Sequence, residues 1–245
     1  MAKAPEKIDV PQLLALDAMI CGQVDLGSED CDGVCFCGDA GAFVIKKNRK
    51  SPTLAHSEWF CSSIASACGV PQVGFSVVNH TDGSSCFGSL WQPGKIKDWW
   101  LLAQDGTINF AALADDLSRI YALDLFVHNI DRHMDNYMVV KDGLGHRVYS
   151  FDYSRAWLEL AFPPQPIMVD SPVATIKNRD WFKENFGDYL NIGIANEVLT
   201  KISELKTDEI TRIISSHPKD WLSKEQEDAI IESLLQKGVS DFSDL

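Results

Sequence analysis

Apolar residues recur at intervals of three and four over residues 109–128, the longest regular pattern in the chain. A second pattern of this kind covers residues 54–68, with Gly69 directly after it and Pro71 beyond. A glycine followed by a proline is typical of a helix end, so both patterns predict amphipathic helices. Shorter patterns predict further helices at residues 11–20, 180–189, 194–205, 207–216 and 223–235, the last opened by the capping-box residues Ser223 and Gln226.

Short β-prone runs lie between the helical patterns. Residues 34–38 and 42–47 flank a Gly-Asp-Ala-Gly turn and predict a first hairpin. Residues 137–140 and 147–151 flank a polar, glycine-rich segment and predict a second hairpin. A further strand is expected at residues 73–78.

The composition is that of a globular chain. With 245 residues, 45% of them hydrophobic and 23% charged, it can form one two-lobed unit or two small domains. No apolar run approaches the roughly 18 residues of a membrane helix, and the amino terminus lacks the apolar stretch of a signal peptide. The net charge of −13 argues against direct nucleic-acid binding, because lysine and arginine bind phosphate backbones. We therefore expect a cytoplasmic protein without a membrane span.

The chain has seven cysteines, an odd number, and no secretory signal, so we expect reduced thiols. A zinc site could be built from Cys31, Cys35 and Cys37, with Cys21 as a fourth ligand. However, this spacing differs from the usual patterns of structural zinc sites. Cys35 and Cys37 fall on alternate residues of a predicted strand, where cysteine usually serves as a small buried apolar residue. We favour this second interpretation.

The second hairpin should bring polar residues together at its open end. Asn136 precedes its first strand and Asp152 follows its second, so an amide oxygen and a carboxylate should lie close together. Asp131 stands on the loop leading into the hairpin. Mg²⁺ prefers oxygen ligands and takes only one or two of them from the protein where phosphates supply the rest. An Asp, an Asn five residues later and a second Asp beyond a hairpin is the order of the hydroxyl-orienting base and the Mg²⁺ ligands of kinases.

These residues also carry a family resemblance. The Asp-Arg-His-x-x-Asn run that begins at Asp131, with the Phe-Asp pair that ends at Asp152, resembles the HipA-like and phosphoinositide-kinase branch of the kinase superfamily. The resemblance implies ATP and Mg²⁺ as cofactors. It implies that Asp131 orients or deprotonates the acceptor hydroxyl, and that Asn136 and Asp152 hold Mg²⁺. It also implies that His133 orients the loop or assists with charge at the γ-phosphate.

A candidate nucleotide lysine lies at the end of the first hairpin. A Val-Ile-Lys run ends there at Lys46 and resembles the Val-Ala-Ile-Lys of kinases. Strand alternation points Lys46 and Lys47 to opposite faces, and we choose Lys46. Glu58 lies in the first turns of the next helix, where kinases carry the glutamate that pairs with this lysine. Without the resemblance, an alternative stays open. Lys46 and Lys47 would lie at an exposed strand end, and Glu58 would be a solvent-exposed residue of the helix.

The order of lysine, glutamate, Gly-Val-Pro and strand also resembles the amino-terminal lobe of HipA-like kinases. We therefore predict an α+β, two-lobed, protein-kinase-like fold in a single domain, residues 1–245. A small β-rich lobe would cover about residues 1–90, a hinge about residues 88–94, and a mainly helical lobe about residues 93–245.

The predicted function is an ATP- and Mg²⁺-dependent phosphotransferase, a Ser/Thr protein kinase of the HipA-like type with a protein substrate. A lipid or small-molecule acceptor is the second hypothesis, because phosphoinositide kinases share the Asp-Arg-His loop. The third is a non-catalytic nucleotide-binding or interaction module. It stays open because residues 23–33, where a phosphate-covering loop would lie, lack G-x-G-x-x-G and carry three acids that would repel a triphosphate: Asp25, Glu29 and Asp30. We expect an ordinary acidic surface loop there.

Overall fold

The structure, a computed structural model, describes residues 15–24, 26–49, 51–159, 167–168 and 170–237. Its first part, here called the β-rich lobe, is a six-stranded sheet with one helix, α1 (Leu54–Cys68). The strands are β1 (Leu16–Asp17), β2 (Ile20–Gly22), β3 (Val34–Phe36), β4 (Ala42–Lys46), β5 (Phe75–Asn79) and β6 (Ser85–Leu90). They lie in the order β1-β5-β6-β4-β3-β2, and β1 is parallel to β5 while the other pairs are antiparallel.

The sheet is curled. β1 and β2 stand at opposite ends of the strand order, yet only Ala18 and Met19 separate them in the chain. The two ends of the sheet must therefore approach each other. Side chains of the sheet itself form a small apolar core, which includes Cys35, Phe43, Ile45, Val78 and Cys86. Gly88 on β6 is required by this packing, since a Cβ atom there would lie 2.6 Å from Cγ2 of Val78.

The helix predicted for residues 11–20 is wrong where the structure describes it. Leu16–Asp17 and Ile20–Gly22 are strands, and residues 11–14 lie outside the described residues. Leu16 pairs with Val78 on β5. Short apolar spacing fits either a helix or two short strands, and pairing with distant strands decides between them here.

Helix α1 confirms the prediction for residues 54–68, and Gly69 ends it in the left-handed conformation at φ 71°. Nearly all of its residues are buried. One side contacts Val77 and Phe87 of the sheet, and another side joins the core of the second lobe. A helix held on two sides keeps its side chains in fixed positions.

The remaining elements form the helical lobe. They are α2 (Trp99–Gln104), α3 (Ala114–Phe126), β7 (Tyr137–Asp142), β8 (Gly145–Ser150), α4 (Ala174–Phe186), α5 (Ile192–Glu204), α6 (Thr207–Ser215) and α7 (Lys224–Lys237). β7 and β8 form the predicted antiparallel hairpin. The helix expected over residues 109–128 is shorter, because a 3₁₀ turn at Phe110–Ala112 precedes α3. Ser223 and Gln226 exchange both hydrogen bonds of the predicted capping box before α7.

The last helices return to the β-rich lobe. Nε1 of Trp59 on α1 donates to Oγ of Ser216 at 3.2 Å, and Nε1 of Trp221 donates to the backbone oxygen of Ser85 at 3.3 Å. Trp59 and Trp221 also share an apolar cluster with Phe87. The carboxy-terminal helices therefore help to fix α1, the helix that carries Glu58.

One expectation about the cysteines is wrong. Cys21 and Cys35, 14 residues apart, form a disulfide, whereas reduced thiols were expected throughout. The cause lies in the sheet register, which sets Cys21 on β2 directly opposite Cys35 on β3. The free cysteines in the described part of the chain are Cys31, Cys37, Cys61, Cys68 and Cys86.

The predicted α+β architecture is confirmed, with strands concentrated in one lobe and helices in the other. Among the residues that the structure describes, no helix combines the length and the apolar character needed to cross a membrane. The core of the helical lobe is built mainly from α1, α3, α5 and the β7–β8 hairpin. The hairpin is therefore anchored in this core by its own buried side chains, Tyr137, Val139 and Val148.

Candidate active site

A cleft of about 450 Å³ lies between the two lobes. This volume falls in the range of small-ligand pockets, roughly 300–1,000 Å³. Apolar, aromatic and charged side chains meet on its walls, among them Leu26, Val44, Lys46, Leu90, Trp91, Met138, Phe151 and Asp152. The cleft therefore combines an apolar surface with a small number of charged groups, as nucleotide sites do.

Lys46 ends β4 and reaches two carboxylates at once. Its Nζ lies 2.5 Å from Oε1 of Glu58 and 2.6 Å from Oδ1 of Asp152. Glu58 comes from α1 and Asp152 from the segment after β8, so the cluster joins three separate elements. Lys47 points away, and its Nζ lies 2.6 Å from Oδ2 of Asp82. Strand alternation thus turns Lys46, and not Lys47, into the cleft.

Burial and pairing set the charges in this cluster. Burial lowers the pKa of Lys46, but Asp152 and Glu58 more than offset it and raise the pKa above its ordinary value. Burial acts to raise the pKa of Asp152, yet Lys46 holds it well below its usual range. Burial raises the pKa of Glu58 to about 7 against the opposing effect of Lys46. Lys46 and Asp152 therefore stay charged at neutral pH, and Glu58 is the group nearest to titration.

The segment after β8 fixes the Asp152 side chain. Asp152 has a φ of 64°, which is uncommon for a residue with a side chain. Its Oδ1 accepts hydrogen bonds from the N–H and the hydroxyl of Ser154, at 3.1 and 2.6 Å. The N–H of Tyr153 donates to Oε1 of Glu58 at 2.9 Å. Sequence reasoning missed Ser154, although an Asp followed two residues later by Ser is typical of a local side-chain turn.

The loop between α3 and β7 carries Asp131, His133 and Asn136. Nδ2 of Asn136 donates to the backbone oxygen of Asp131 at 2.8 Å and so holds the start of the loop. The Asp131 carboxylate is partly exposed, and none of the hydrogen bonds or ion pairs among the described residues engages it. A carboxylate left free on a fixed loop is able to accept a proton from an incoming hydroxyl group.

Asn136 and Asp152 lie at the same end of the hairpin, because the first residue of β7 pairs with the last residue of β8. Nη1 of Arg132 donates to the backbone oxygen of Asn136 at 2.8 Å and to the backbone oxygen directly before Asp152. One guanidinium group therefore holds the backbone next to both candidate metal ligands.

Arg132 itself is held by a buried ion pair. Its Nε and Nη2 donate to the Asp124 carboxylate at 2.8 and 2.9 Å, and both side chains are 0% exposed. Nδ2 of Asn129 donates to the same carboxylate at 2.9 Å. The rings of Tyr137 and Tyr153 lie 5.7 and 5.0 Å from the guanidinium carbon. Sequence reasoning counted Asp124 only within a helical pattern and missed this pair.

His133 lies on the surface of the loop. Its side chain is 46% exposed, and Nδ1 lies 3.9 Å from Oδ2 of Asp135. In the described part of the chain it is not among the residues that line the cleft, and neither are Asp131 and Asn136. The structure thus joins Lys46, Glu58 and Asp152 directly and places the other three candidates beside the hairpin.

The loop between β2 and β3 forms one wall of the cleft, unlike the ordinary surface loop that we expected. Asp30, one of its acids, lies 3.5 Å from Nη1 of Arg155, and Asp25 lies outside the described residues. The loop residues on the cleft wall are instead Leu26, Ser28 and Cys31. The cleft side of the loop is therefore largely uncharged.

Further lysines that sequence reasoning missed also face the cleft. Nζ of Lys95 lies 4.8 Å from the ring centre of Phe151 and donates to the backbone oxygen of Asp135 at 2.8 Å. Burial lowers the pKa of Lys95, with Asp135 opposing. Lys97 lies on the same wall. Lys46, Lys95 and Lys97 share the cleft walls with the carboxylates of Glu58 and Asp152, so the lining carries slightly more positive than negative charge in a chain whose net charge is −13. This balance favours an anionic ligand in the cleft.

The fold is similar to those of solved kinase structures. One is the Helicobacter pylori proinflammatory kinase CtkA, with a TM-score of 0.59 and 12% identity over 92% of this chain and 96% of that one. Another is HipA of Shewanella oneidensis MR-1, solved in a toxin–antitoxin complex with HipB and operator DNA, with a TM-score of 0.49, 13% identity, and coverage of 81% of this chain and 56% of that one. No family model and no curated protein matches the sequence. The likeness to CtkA confirms the predicted two-lobed, kinase-like fold.

Proposed function

We propose that this protein transfers the γ-phosphoryl group of ATP, with Mg²⁺, to a serine or threonine hydroxyl of a protein. The observation that carries the proposal is the cluster of Lys46, Glu58 and Asp152. Two carboxylates from separate elements meet one buried lysine on the wall of a cleft of nucleotide size. The kinase-like fold supports the same conclusion.

The side chains present fit ATP and Mg²⁺. Asp152 and Asn136 offer the hard oxygen ligands that Mg²⁺ prefers. When bound, the ion would neutralise negative charge on the phosphates. Lys46, kept in place by Glu58, would contact the α- and β-phosphates, and Lys95 adds a second positive charge in the cleft.

Asp131 would act on the acceptor. Its carboxylate would accept the proton of the hydroxyl group as that group attacks, and the amide of Asn136 keeps the loop backbone at Asp131 in position. The apolar side chains of Leu26 and Met138 on the cleft walls would exclude water from the nucleotide. His133 is proposed to orient the loop or to assist with charge at the γ-phosphate.

We further propose that residues 1–245 act as one catalytic domain in the cytoplasm, where ATP and Mg²⁺ are supplied. The partners would be ATP and a protein substrate, without direct nucleic-acid binding. The net charge of −13 supports the last point.

Incubation of the purified protein with γ-labelled ATP and Mg²⁺, alone and with cell extract, tests the proposed function. Label on protein serine or threonine is the expected result. Label in a lipid or small-molecule fraction would mean that the acceptor hydroxyl belongs to a lipid or a small molecule and not to a protein. ATP binding without any transfer would mean that the protein is a non-catalytic nucleotide-binding module.

Lys46→Ala is expected to slow phosphoryl transfer by about 10²-fold or more, because a positioned cation next to the phosphates would be lost. Lys47→Ala is the matched control, because Lys47 is the neighbouring lysine on the other face of β4 and pairs with a half-exposed Asp82 outside the cleft. Initial transfer rates for both variants, with melting curves, make the comparison. A larger loss of transfer in Lys47→Ala would assign the phosphate contact to the other face of β4.

Asp152→Asn should reduce the factor by which Mg²⁺ strengthens ATP binding by at least about tenfold. The loss of a partner that does not even touch the metal already lowers metal affinity about 10–100-fold. Lys46 keeps Glu58 as a partner, so the fold should survive. Calorimetric titration with ATP, with and without Mg²⁺, measures the effect. Asp135→Asn, at an exposed position on the neighbouring loop, is the control and should behave like the parent. An Mg²⁺ effect that persists in folded Asp152→Asn would remove Asp152 from the metal site.

A further inference from the structure

Two sulfur atoms and one imidazole meet where the ends of the curled sheet approach each other. Cys21 and Cys35 face each other on β2 and β3, and His80 follows the last residue of β5. Their ligand atoms, two Sγ atoms and a ring nitrogen, lie within 4.8 Å of one another. Cys35 is buried, and the other two are partly buried. This group lies outside the cleft and takes no part in the proposed phosphoryl transfer.

His80 is held by a carboxylate. Its Nδ1 lies 2.9 Å from Oδ1 of Asp82, and the N–H of Asp82 lies 3.1 Å from the same nitrogen. Asp82 is fixed in turn by Nζ of Lys47 at 2.6 Å and by the hydroxyl of Ser84 at 2.6 Å. Histidines that bind metals usually have a carboxylate on their other ring nitrogen, which sets the ring orientation. Nδ1 of His80 can accept from the N–H of Asp82 or, when it carries the proton, donate to Oδ1 of Asp82. The second tautomer leaves Nε2 unprotonated, which is the form that a metal-binding histidine adopts.

We propose that Cys21, Cys35 and His80 form a redox-gated site for a thiophilic divalent cation of the zinc class. In the disulfide form the two sulfur atoms are bonded to each other and have no thiolate to offer. In the reduced form they would supply two thiolates, which together with an imidazole suit Zn²⁺ and not Mg²⁺ or Ca²⁺. A tetrahedral ion would keep its fourth position for water.

Reduction of the Cys21–Cys35 disulfide requires two electrons and two protons, which a dithiol can supply. The reductant attacks the disulfide, the S–S bond breaks, and two electrons pass from the reductant, which leaves as its own disulfide. Cys21 and Cys35 then carry thiols. Zn²⁺ displaces one proton from each thiol and accepts the lone pair of His80, and its oxidation state does not change.

The site would hold the base of the cleft loop. Cys21 and Cys35 bracket residues 23–33, whose Leu26 and Ser28 line the cleft. The base of this loop is tight: Gly33 has a φ of 117°, and a Cβ atom there would lie 2.3 Å from the backbone oxygen of Gly22. Either the disulfide or the metal would tie β2 to β3, whereas the reduced, metal-free form would lack both ties.

Cobalt titration tests the proposal without any use of kinase activity. The full-length protein is reduced with a phosphine, desalted and titrated with Co²⁺ alone, and then with Zn²⁺. We expect one Co²⁺ per chain with a thiolate-to-cobalt absorption band, displacement by Zn²⁺, and a melting temperature that rises with Zn²⁺. The oxidised protein should show no such band. A thiolate-to-cobalt band in the oxidised protein, or no such band in the reduced and folded protein, would overturn the proposal.

Variants identify the ligands. Cys21→Ser and His80→Ala should each weaken Co²⁺ binding by at least about tenfold, since loss of an outer-shell partner alone costs that much. Cys31→Ser and His146→Ala are the matched thiol and imidazole controls and should bind Co²⁺ like the parent. Circular dichroism melts select the folded variants, and the milder Asp82→Asn replaces His80→Ala if the latter unfolds. Loss of binding in Cys31→Ser, or full binding in Cys21→Ser, would contradict the assigned ligands.

Discussion

Asp131→Asn is expected to slow phosphoryl transfer by about 10²–10⁴-fold, the usual contribution of a positioned base. This corresponds to roughly 3–5 kcal/mol of transition-state stabilisation. ATP affinity should change little, because the proposed role of Asp131 is to accept the proton of the acceptor hydroxyl and not to bind Mg²⁺ or the phosphates. Asn136 contacts the backbone oxygen of Asp131, so an amide at position 131 leaves that hydrogen bond intact. The substitution therefore removes a proton acceptor without removing a structural contact.

Single-turnover transfer measured beside ATP affinity separates the two roles open to Asp131. Asp135→Asn on the same loop is the control, since its carboxylate is 73% exposed and its contact with Lys95 uses the backbone oxygen. If Asp131→Asn transfers phosphate at the rate of the parent protein, the Asp131 carboxylate is structural. Loss of ATP binding in a folded variant would instead move Asp131 into the metal shell.

The features of this site that follow from local pattern could be predicted. The β7–β8 hairpin follows from two β-prone runs around a glycine-rich turn, and it alone places Asn136 and Asp152 at one end. Strand alternation separates Lys46 from Lys47, and helical spacing places Glu58 on α1. Each of these inferences needs only neighbours in the chain.

Contacts between distant residues could not be predicted in this way. Lys46 meets Asp152 across 106 positions, and no periodicity connects them. The same holds for the strands at Leu16–Asp17 and Ile20–Gly22, whose apolar residues fit a helix until β3 and β5 provide pairing partners. The Cys21–Cys35 disulfide depends on that pairing, so it was missed together with the strands.

The Asp124–Arg132 pair was missed for a different reason. The two residues are only 8 positions apart, but Asp124 stands within a helical pattern and Arg132 stands inside a motif that already had an interpretation. The motif explained the Asp and His on either side of Arg132 and left the arginine without a task. A charged residue buried at 0% exposure has to be paired, and that requirement is visible only once burial is known.

Asp124→Ala is therefore expected to lower the free energy of unfolding by about 3–5 kcal/mol, because the Arg132 guanidinium would be left buried without its partner. Stabilities of single domains are about 5–15 kcal/mol, so the loss would be a large share of the total. Urea denaturation followed by circular dichroism measures it. Asp116→Ala on the same helix is the control: its partners Arg119 and Arg147 are 28% and 48% exposed and could turn to water, so the loss should be about 0–1 kcal/mol.

Removing both charges separates the contribution of the Asp124–Arg132 pair to protein stability from its contribution to the active site. Asp124→Leu combined with Arg132→Met should recover most of the lost stability, because no unpaired charge stays buried. Phosphoryl transfer should remain low in this double variant, since Arg132 also donates to the backbone oxygen of Asn136 and to the one directly before Asp152. If transfer returns together with stability, the guanidinium serves only the fold, and the hairpin alone holds the two candidate metal ligands. If the double variant is as unstable as Asp124→Ala, the cost lies in lost packing and in the lost hydrogen bonds of Arg132 and Asn129, and not in the unpaired charge.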